Sequence, residues 1–283
     1  MSAIAVLGLG AMGHAIGARL MDAGHAVAAW NRTLGKGEDL VAAGARRAVS
    51  PADAVREAEV VITMVTDPPA LEAVLFGPDG AAPAIPRDAT IIEMSTVGPT
   101  AIASVAERLA PVRVLDAPVL GSVPSVLEGR LGILVGGDRD VFDRHADLLS
   151  VLGTPMYVGS SGSAAWLKLV NNAASISALV ALGELLSLTD RAGLDPDVVL
   201  DSMKAGPLSS MVERWRRRFT GEEDASFFRL DLARKDLKLV FDEADAVGGH
   251  LTVTETAAAR CDEAIQSGLG DQDFGAIVSF LRR

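Results

Sequence analysis

The sequence predicts an α/β domain with a parallel sheet, followed by an all-α domain. Three observations predict this fold. Short apolar runs alternate with helix-like segments in the first part of the chain, a glycine-rich turn joins the first run to the first helix, and only helical patterns follow residue 162. Short, continuous apolar runs are typical of parallel strands that helices cover on both faces. We therefore expect two domains, at residues 1–162 and 163–283.

The first strand and helix carry a glycine pattern. Residues 4–7 form an all-apolar strand, a Gly-x-Gly-x-x-Gly segment follows it, and a second apolar strand comes at Ala26–Trp30 after the helix. In this setting the pattern is typical of the dinucleotide-binding βαβ unit of the Rossmann fold, in which the glycines permit a tight turn, close approach of the pyrophosphate and close helix packing. The phosphates then lie at the helix N-terminus. The segment is Gly8, Leu9, Gly10, Ala11, Met12 and Gly13.

The end of the second strand favours NADP(H) over NAD(H). NAD-binding proteins of this fold commonly place Asp or Glu there, to hold the ribose 2′-hydroxyl. This chain has Asn31, Arg32 and Thr33 instead, so no carboxylate at this position repels a 2′-phosphate. Arg32 can pair with the phosphate, and its neighbours can hydrogen-bond to it. The alternative is that Arg32 is an exposed side chain without a ligand.

Later strands are predicted at residues 60–65, 90–94, 113–115, 131–135 and 157–158. In a doubly wound sheet, the carboxyl ends of the strands line the ligand crevice. We therefore expect Val65, Thr66, Ser95 and Thr96 to face the cofactor. For Ser95 and Thr96 the alternative is helix N-capping, because a helix is predicted shortly afterwards.

The helical part opens with the long segment Ser163–Arg191, which is apolar on nearly every side and must therefore be buried all round. Lys168 lies within it, with Asn171 and Asn172 on the same face at i+3 and i+4. Burying a cation and two amides unpaired is costly, so these residues need a partner or a function. Further helices are predicted at residues 196–204, Ser209–Phe219, 230–247, 254–267 and after residue 271.

The dinucleotide motif favours a catalytic role for Lys168 over a structural ion pair or a snorkelling side chain. Hydride transfer to a carbonyl leaves an alkoxide that needs a proton. An ammonium group can donate that proton, and burial lowers the pKa of such a group toward the working pH. Asn172, one turn further on, can hold the hydroxyl or carboxylate of the substrate.

The charge and composition of the chain disfavour several classes of binding partner. The net charge of −11 disfavours nucleic acid and anionic membrane surfaces. A single cysteine, Cys261, rules out an internal disulfide, and the four scattered histidines show no metal-ligand spacing, so no metal site is expected. The chain opens on a strand-like run with no basic stretch before it, so we expect no signal peptide and a cytoplasmic protein that acts on a small molecule.

Together, the motifs resemble the β-hydroxyacid dehydrogenase family, which includes 3-hydroxyisobutyrate dehydrogenases and glyoxylate and succinic semialdehyde reductases. The resemblance covers nearly the whole chain. It rests on the N-terminal GLGAMG segment, the DAPV segment from Asp116, the lysine–asparagine set at Lys168, Asn171 and Asn172, the segment Lys235, Asp236 and Leu237, and the closing segment from Gly270.

The resemblance implies a Rossmann domain joined through the long helix to a helical domain, with homodimers formed by the helical parts. It implies a reaction between a small β-hydroxyacid and its aldehyde or keto acid, for which Arg32 and its neighbours favour NADP(H) as the cofactor. Lys168 then is the general acid/base, Asn172 positions the substrate with Asn171 beside it, and Lys235 lies near the nicotinamide. For Lys235, a solvated charge pattern on a helix is the alternative.

The loop after DAPV, which holds the substrate carboxylate in the family, departs from the family pattern. Here it comprises Gly121 and Ser122, and Leu120 stands where the family commonly has a serine. This leaves a bulkier or less polar substrate open. Two other functions remain possible: an imine reductase on the same fold, although these usually carry Asp or Tyr in place of Lys168, and a protein that binds NADP without turnover.

Overall fold

The structure is a computed structural model that describes residues 1–206, 208–219 and 228–283. The chain divides into two compact units, residues 1–168 and 169–283. The first unit has a sheet with helices and the second is helical, which confirms the predicted fold class. The division falls inside the long helix, whereas residue 162, the boundary inferred from the sequence, lies just before that helix begins.

Nine strands of the described residues form one sheet. Their bounds are β1 Ala3–Leu7, β2 Ala26–Trp30, β3 Arg46–Arg47, β4 Val60–Thr63, β5 Thr90–Glu93, β6 Arg113–Asp116, β7 Val119–Leu120, β8 Leu131–Gly136 and β9 Gly153–Gly159.

The α-helices of the first unit alternate with these strands. They are α1 Ala11–Asp22, α2 Glu38–Ala42, α3 Pro51–Val55, α4 Pro68–Phe76, α5 Pro99–Leu109, α6 Val123–Leu127 and α7 Arg139–Leu152. The remaining helices are α8 Ser163–Arg191, α9 Pro196–Met203, α10 Ser209–Phe219, α11 Leu230–Ala246, α12 Thr252–Ala264 and α13 Ala276–Leu281. Helices α8 and α10 have the bounds that the sequence predicts.

The strand order is β3-β2-β1-β4-β5-β6-β8-β7, and β9 pairs with β8. The ladder from β3 to β6 is parallel, whereas β8 runs antiparallel to β6 and β7. The register pairs Leu7 with Thr63, Thr63 with Glu93 and Glu93 with Asp116. The carboxyl ends of four neighbouring strands therefore lie in one row, and this row is the edge where a doubly wound sheet binds its ligand.

Both faces of the sheet are covered. Every residue of β4 and β5 is buried. Helices α1 and α7 contribute buried side chains to the core on one face, among them Ile16 and Leu149. Helices α4 and α5 do so on the other face, among them Leu71 and Ile102. Burial on both faces explains why these strands are continuous apolar runs in the sequence.

The second unit packs around its part of α8. Leu169, Ile176 and Leu179 of α8 lie in a core that includes Trp215 and Phe274, whose rings meet edge to face with centroids 4.7 Å apart. By length and composition alone, α8 is also the one described helix that is apolar enough to cross a membrane. The expectation that α8 is buried all round is wrong for one copy of the chain: the core covers one side of the helix, whereas Val170, Leu185 and Leu188 are exposed.

Candidate active site

The turn between β1 and α1 requires glycine at two of its positions. Gly8 has a φ of +103°, and a Cβ there would lie 2.3 Å from the carbonyl oxygen of Met64. A Cβ on Gly13 would lie 2.0 Å from the carbonyl oxygen of Gly8. Backbone atoms cannot move away from such contacts without distorting the strand or the helix. The two residues therefore set the tight turn and the close packing of α1 on the sheet, as the sequence pattern indicates.

Gly10 differs from these two glycines because it borders open space. It is exposed, and a Cβ on it would meet no atom within 4 Å. It is also the N-cap residue of α1, where it offers no side-chain cap, and the first turn of α1 has no acidic residue. The positive end of α1 is thus open to an anion. The turn fits the pyrophosphate of a dinucleotide, with Ala11 exposed and Met12 half-buried beside it.

A side chain at the end of β2 holds this turn in place. The backbone N–H of Leu9 donates to Asn31 Oδ1 at 2.9 Å, and Asn31 Nδ2 donates to the carbonyl oxygen of Thr33 at 3.1 Å. Arg32 and Thr33 are exposed. Asn31 therefore joins the glycine turn to the loop that is predicted to carry the 2′-phosphate, a contact that the sequence does not show.

A carboxylate of α2, that of Asp39, is hydrogen-bonded to α1. Asp39 contacts His14 Nε2 at 2.7 Å through Oδ2, and this hydrogen bond holds the pKa of Asp39 below its ordinary value. The carboxylate thus faces α1. At the end of β2 itself, Asn31, Arg32 and Thr33 leave no negative charge.

The ends of β4 and β5 are linked by a buried carboxylate. Glu93 Oε1 accepts from the N–H of Ser95 at 2.6 Å, and its Oε2 accepts from Thr63 Oγ1 at 3.2 Å. Ser95 Oγ in turn accepts from the N–H of Val65 at 2.8 Å. The hydroxyl of Ser95 therefore joins the two strand ends, and the N-cap of α5 is Gly98 instead.

Thr66 and Thr96 follow these strand ends directly. Thr66 is exposed and Thr96 is half-buried. Both stand at the carboxyl edge of the sheet, which is the position that the sequence predicts for them.

Hydrogen bonds join the start of α8 to the end of β6. Asp116 is fully buried; its Oδ1 accepts from the N–H of Gly162 at 3.0 Å, and its Oδ2 accepts from the N–H of Ala165 at 3.0 Å. The sequence marks Asp116 through the DAPV segment but gives no sign of this partner, which lies 46 residues away. Lys168 follows Ala165 by three residues on the same helix and is half-buried.

The predicted substrate loop has its own local structure. Gly121 has a φ of +133°, and Ser122 is the N-cap of α6, where it forms a capping box with Ser125. Leu120, at the end of β7, is half-buried and packs over Gly132 of β8, whose missing side chain leaves it room. An apolar side chain thus stands beside the loop.

In the second unit, one buried carboxylate contacts two of the predicted site residues. Asn172 Nδ2 donates to Asp236 Oδ2 at 2.5 Å, and Lys235 Nζ forms an ion pair with Asp236 Oδ1 at 2.8 Å. Asp236 is only 2% exposed. The family resemblance includes Asp236 as part of a segment, but the sequence does not show that its carboxylate contacts both Asn172 and Lys235. Asn171 is exposed on the next position of α8.

Family models match both halves of the chain. Residues 3–160 match the model described as the NAD binding domain of 6-phosphogluconate dehydrogenase. Residues 162–281 match the model described as NAD-binding of NADP-dependent 3-hydroxyisobutyrate dehydrogenase.

Individual proteins are similar over the full length. Glyoxylate/succinic semialdehyde reductase 1 of Arabidopsis thaliana is 32% identical, over 99% of this chain and 98% of the relative. 3-Sulfolactaldehyde reductase of Escherichia coli is 30% identical, over 100% of this chain and 96% of the relative. A structure of 3-hydroxyisobutyrate dehydrogenase of Mycobacterium tuberculosis with L-serine is 26% identical, covers 100% of both chains and superposes with a TM-score of 0.86.

Proposed function

The chain belongs to the β-hydroxyacid dehydrogenase family, and on that basis we propose that it is an NADP(H)-dependent oxidoreductase. Its reaction interconverts a small β-hydroxyacid and the corresponding aldehyde or keto acid. One observation supports the proposal most directly. The start of α8 is hydrogen-bonded to Asp116 at the carboxyl edge of the sheet, the edge at which the dinucleotide turn also lies, and Lys168 follows about one turn later on α8.

The residues of the first unit fit the cofactor. The turn from Gly8 to Gly13 offers the open N-terminus of α1 to the pyrophosphate. Arg32, with Asn31 and Thr33 beside it, would bind the 2′-phosphate, which supports NADP(H) over NAD(H). Val65, Thr66, Ser95 and Thr96 would line the remaining length of the cofactor, and Lys235 would lie near the nicotinamide. When bound, the reduced cofactor supplies the hydride.

Lys168 would give a proton to the carbonyl oxygen of the substrate during reduction and take it back during oxidation. A group in this role contributes about 10²–10⁴-fold to the rate. Asn172 would hold the reacting oxygen or the carboxylate. Its amide is held by Asp236, so its orientation is set before substrate binds.

The substrate is proposed to be a small acid that also carries a less polar group. The backbone of Gly121, the capping Ser122 and the exposed Asn171 would bind its carboxylate. Leu120 favours an apolar portion beside that carboxylate. The names of the relatives support this class, since glyoxylate, succinic semialdehyde and 3-sulfolactaldehyde are all small anionic aldehydes, and L-serine is a β-hydroxyacid.

We propose a homodimer as the functional assembly, formed through the helical units, and a cytoplasmic location. The exposed apolar side chains of Leu185 and Leu188, at 52% and 63%, support this assembly, because they leave part of the apolar surface of α8 uncovered in one copy.

The test is an NADPH-oxidation screen with glyoxylate, succinic semialdehyde, methylmalonate semialdehyde, tartronate semialdehyde and cyclic imines. The proposal expects turnover with at least one anionic aldehyde. Turnover with imines alone would instead identify an imine reductase. NADPH binding without any turnover would identify a protein that only binds the cofactor.

A further inference from the structure

A buried carboxylate joins the sheet to the helix that carries Lys168. We propose that Asp116 is the positioning residue for Lys168: it sets where the second turn of α8 stands relative to the carboxyl edge of the sheet. This inference rests on the proposed function of Lys168, but the contact itself is independent of it.

Asp116 accepts two hydrogen bonds from the backbone at the start of α8. The N–H groups of Gly162 and Ala165 have no intrahelical acceptor at a helix start, and each donates at 3.0 Å to a different oxygen of Asp116. Two bonds to one planar group fix direction as well as distance. Lys168 lies about 4.5 Å further along the helix axis than Ala165, at the usual rise per residue.

A local cap would have sufficed to stabilise α8 as a helix. The residue before Ser163 is Gly162, which has a φ of +86° and no side chain with which to cap. The chain uses a residue 46 positions away instead. A remote carboxylate stabilises the helix start and also ties it to a particular strand, whereas a local cap would do only the former.

The strand side of the contact is equally constrained. Asp116 ends β6 and pairs in register with Glu93, the carboxylate that holds Ser95 at the cofactor edge. On the other side its partner is Gly136, where a Cβ would lie 2.6 Å from Asp116 Oδ1. Only glycine at residue 136 therefore leaves room for the carboxylate. The start of α8 and the residues predicted to face the cofactor are thus fixed to the same row of strand ends.

The contact also removes one possible anion site. The N–H groups that would receive a substrate carboxylate at the start of α8 are already bonded to Asp116. The anionic group of the substrate must therefore bind elsewhere, in agreement with the loop at Gly121 and Ser122.

The test is the substitution Asp116→Asn, which keeps the size of the side chain and replaces one acceptor by a donor. The matched control is Asp273→Asn, because Asp273 is also buried and accepts from two backbone N–H groups, those of Phe228 and Gly275. We expect Asp116→Asn to lower kcat by at least about 10-fold per folded molecule, since small displacements of a catalytic group have such effects. The dissociation constant of NADPH changes by less than about 2-fold, and Asp273→Asn leaves kcat unchanged.

Two further measurements separate positioning from stability. Hydrogen exchange over residues 159–170 should accelerate in Asp116→Asn and not in Asp273→Asn. Combined with Lys168→Ala, Asp116→Asn should cause no further loss of kcat, because residues that act as a unit are not additive. If Asp116→Asn does not fold, Gly136→Ala displaces the same carboxylate and should give the same two results.

The proposal is overturned if Asp116→Asn and Asp273→Asn retain the same kcat, if the losses of Asp116→Asn and Lys168→Ala simply add, or if exchange at residues 159–170 is unchanged. A wild-type protein without turnover would refute the proposed function. The exchange measurement alone then decides whether Asp116 holds the start of α8.

Discussion

At the scale of single residues, three buried carboxylates accept hydrogen bonds at or beside predicted functional residues. Glu93 and Asp116 end neighbouring strands of the first unit, and Asp236 lies within the second. Each accepts hydrogen bonds from groups at or next to a predicted functional residue: Ser95, the first turn of the Lys168 helix, and Asn172. Buried charges are costly unless they are paired, so their presence here indicates a requirement for fixed geometry.

Asn31 allows an isosteric test of cofactor choice. The substitution Asn31→Asp keeps the oxygen that accepts from the N–H of Leu9 and adds a negative charge where the 2′-phosphate is proposed to bind. We expect the KM for NADPH to rise by at least about 10-fold, while the KM for NADH falls or stays unchanged. Steady-state kinetics with both cofactors measure this. An equal rise for both would show that the residue does not discriminate between them.

Cys261 is predicted to be unreactive in the folded protein. Its side chain is fully buried on α12, and burial raises the pKa of the thiol to about 11. At pH 8 the reactive thiolate is therefore scarce as well as inaccessible. Labelling by a thiol reagent should be at least about 1,000-fold slower in buffer than in denaturant, as expected if it requires unfolding. Complete labelling within seconds in buffer would contradict this account.

At the scale of elements, the sequence predicts best the strands that are buried along their whole length. Strands β1, β4 and β5 are almost entirely buried because both faces are covered, and α8 has its predicted ends. Two-residue strands cannot show a period: β3 consists of two exposed arginines. Strand β9 extends well beyond the predicted residues 157–158, because Pro155 and alternating exposure disguise it.

The residues of the candidate site also fall into two groups: those that the sequence predicts and those that only the structure reveals. The glycines, the strand-end residues and Lys168 can be predicted from the sequence, because each is recognised by its position next to a strand or within a helix. The residues that hold the start of α8 and the amide of Asn172 cannot be recognised as such in the sequence, because Asp116 and Asp236 meet these partners only in the folded structure. The two residues stand 46 positions before Gly162 and 64 positions after Asn172.

The β1–α1 turn gives a paired test at this scale. In Gly13→Ala the added Cβ would lie 2.0 Å from a backbone oxygen, so we expect a loss of about 1–3 kcal/mol in the free energy of unfolding. In Gly10→Ala the Cβ meets open space, so stability changes by about 0.5 kcal/mol or less. The same methyl group lies where the pyrophosphate approaches, and NADPH affinity should fall by at least about 10-fold.

Thermal unfolding and cofactor titration of the two glycine variants provide the measurements. NADPH binding by Gly10→Ala as tight as that of the wild type, or a lower stability of Gly10→Ala than of Gly13→Ala, would contradict these roles of the two glycines.

At the scale of the whole molecule, the chain combines a unit that fits a dinucleotide with a helical unit whose surface is not fully polar. The predicted dimer is tested by Leu188→Glu, which places a charge on the exposed apolar surface of α8. Light scattering should show a shift from dimer to monomer, because an interface that buries this residue would have to bury an unpaired charge.

Val49→Glu is the control for the dimer, because Val49 is an equally apolar and 86% exposed side chain of the first unit. It should leave the mass unchanged. A wild-type monomer, or a dimer that survives Leu188→Glu, would contradict the proposed interface.

The central claim is that Lys168 moves the proton in an NADPH-dependent reduction. The most direct measurement is the rate of NADPH oxidation by Lys168→Ala, compared with the wild type on the substrate that the screen identifies, with NADPH binding and thermal unfolding measured on both proteins. We predict that kcat falls by about 10²–10⁴-fold, while the NADPH dissociation constant and the unfolding temperature stay close to those of the wild type. Turnover by Lys168→Ala within a few-fold of the wild type would contradict the account.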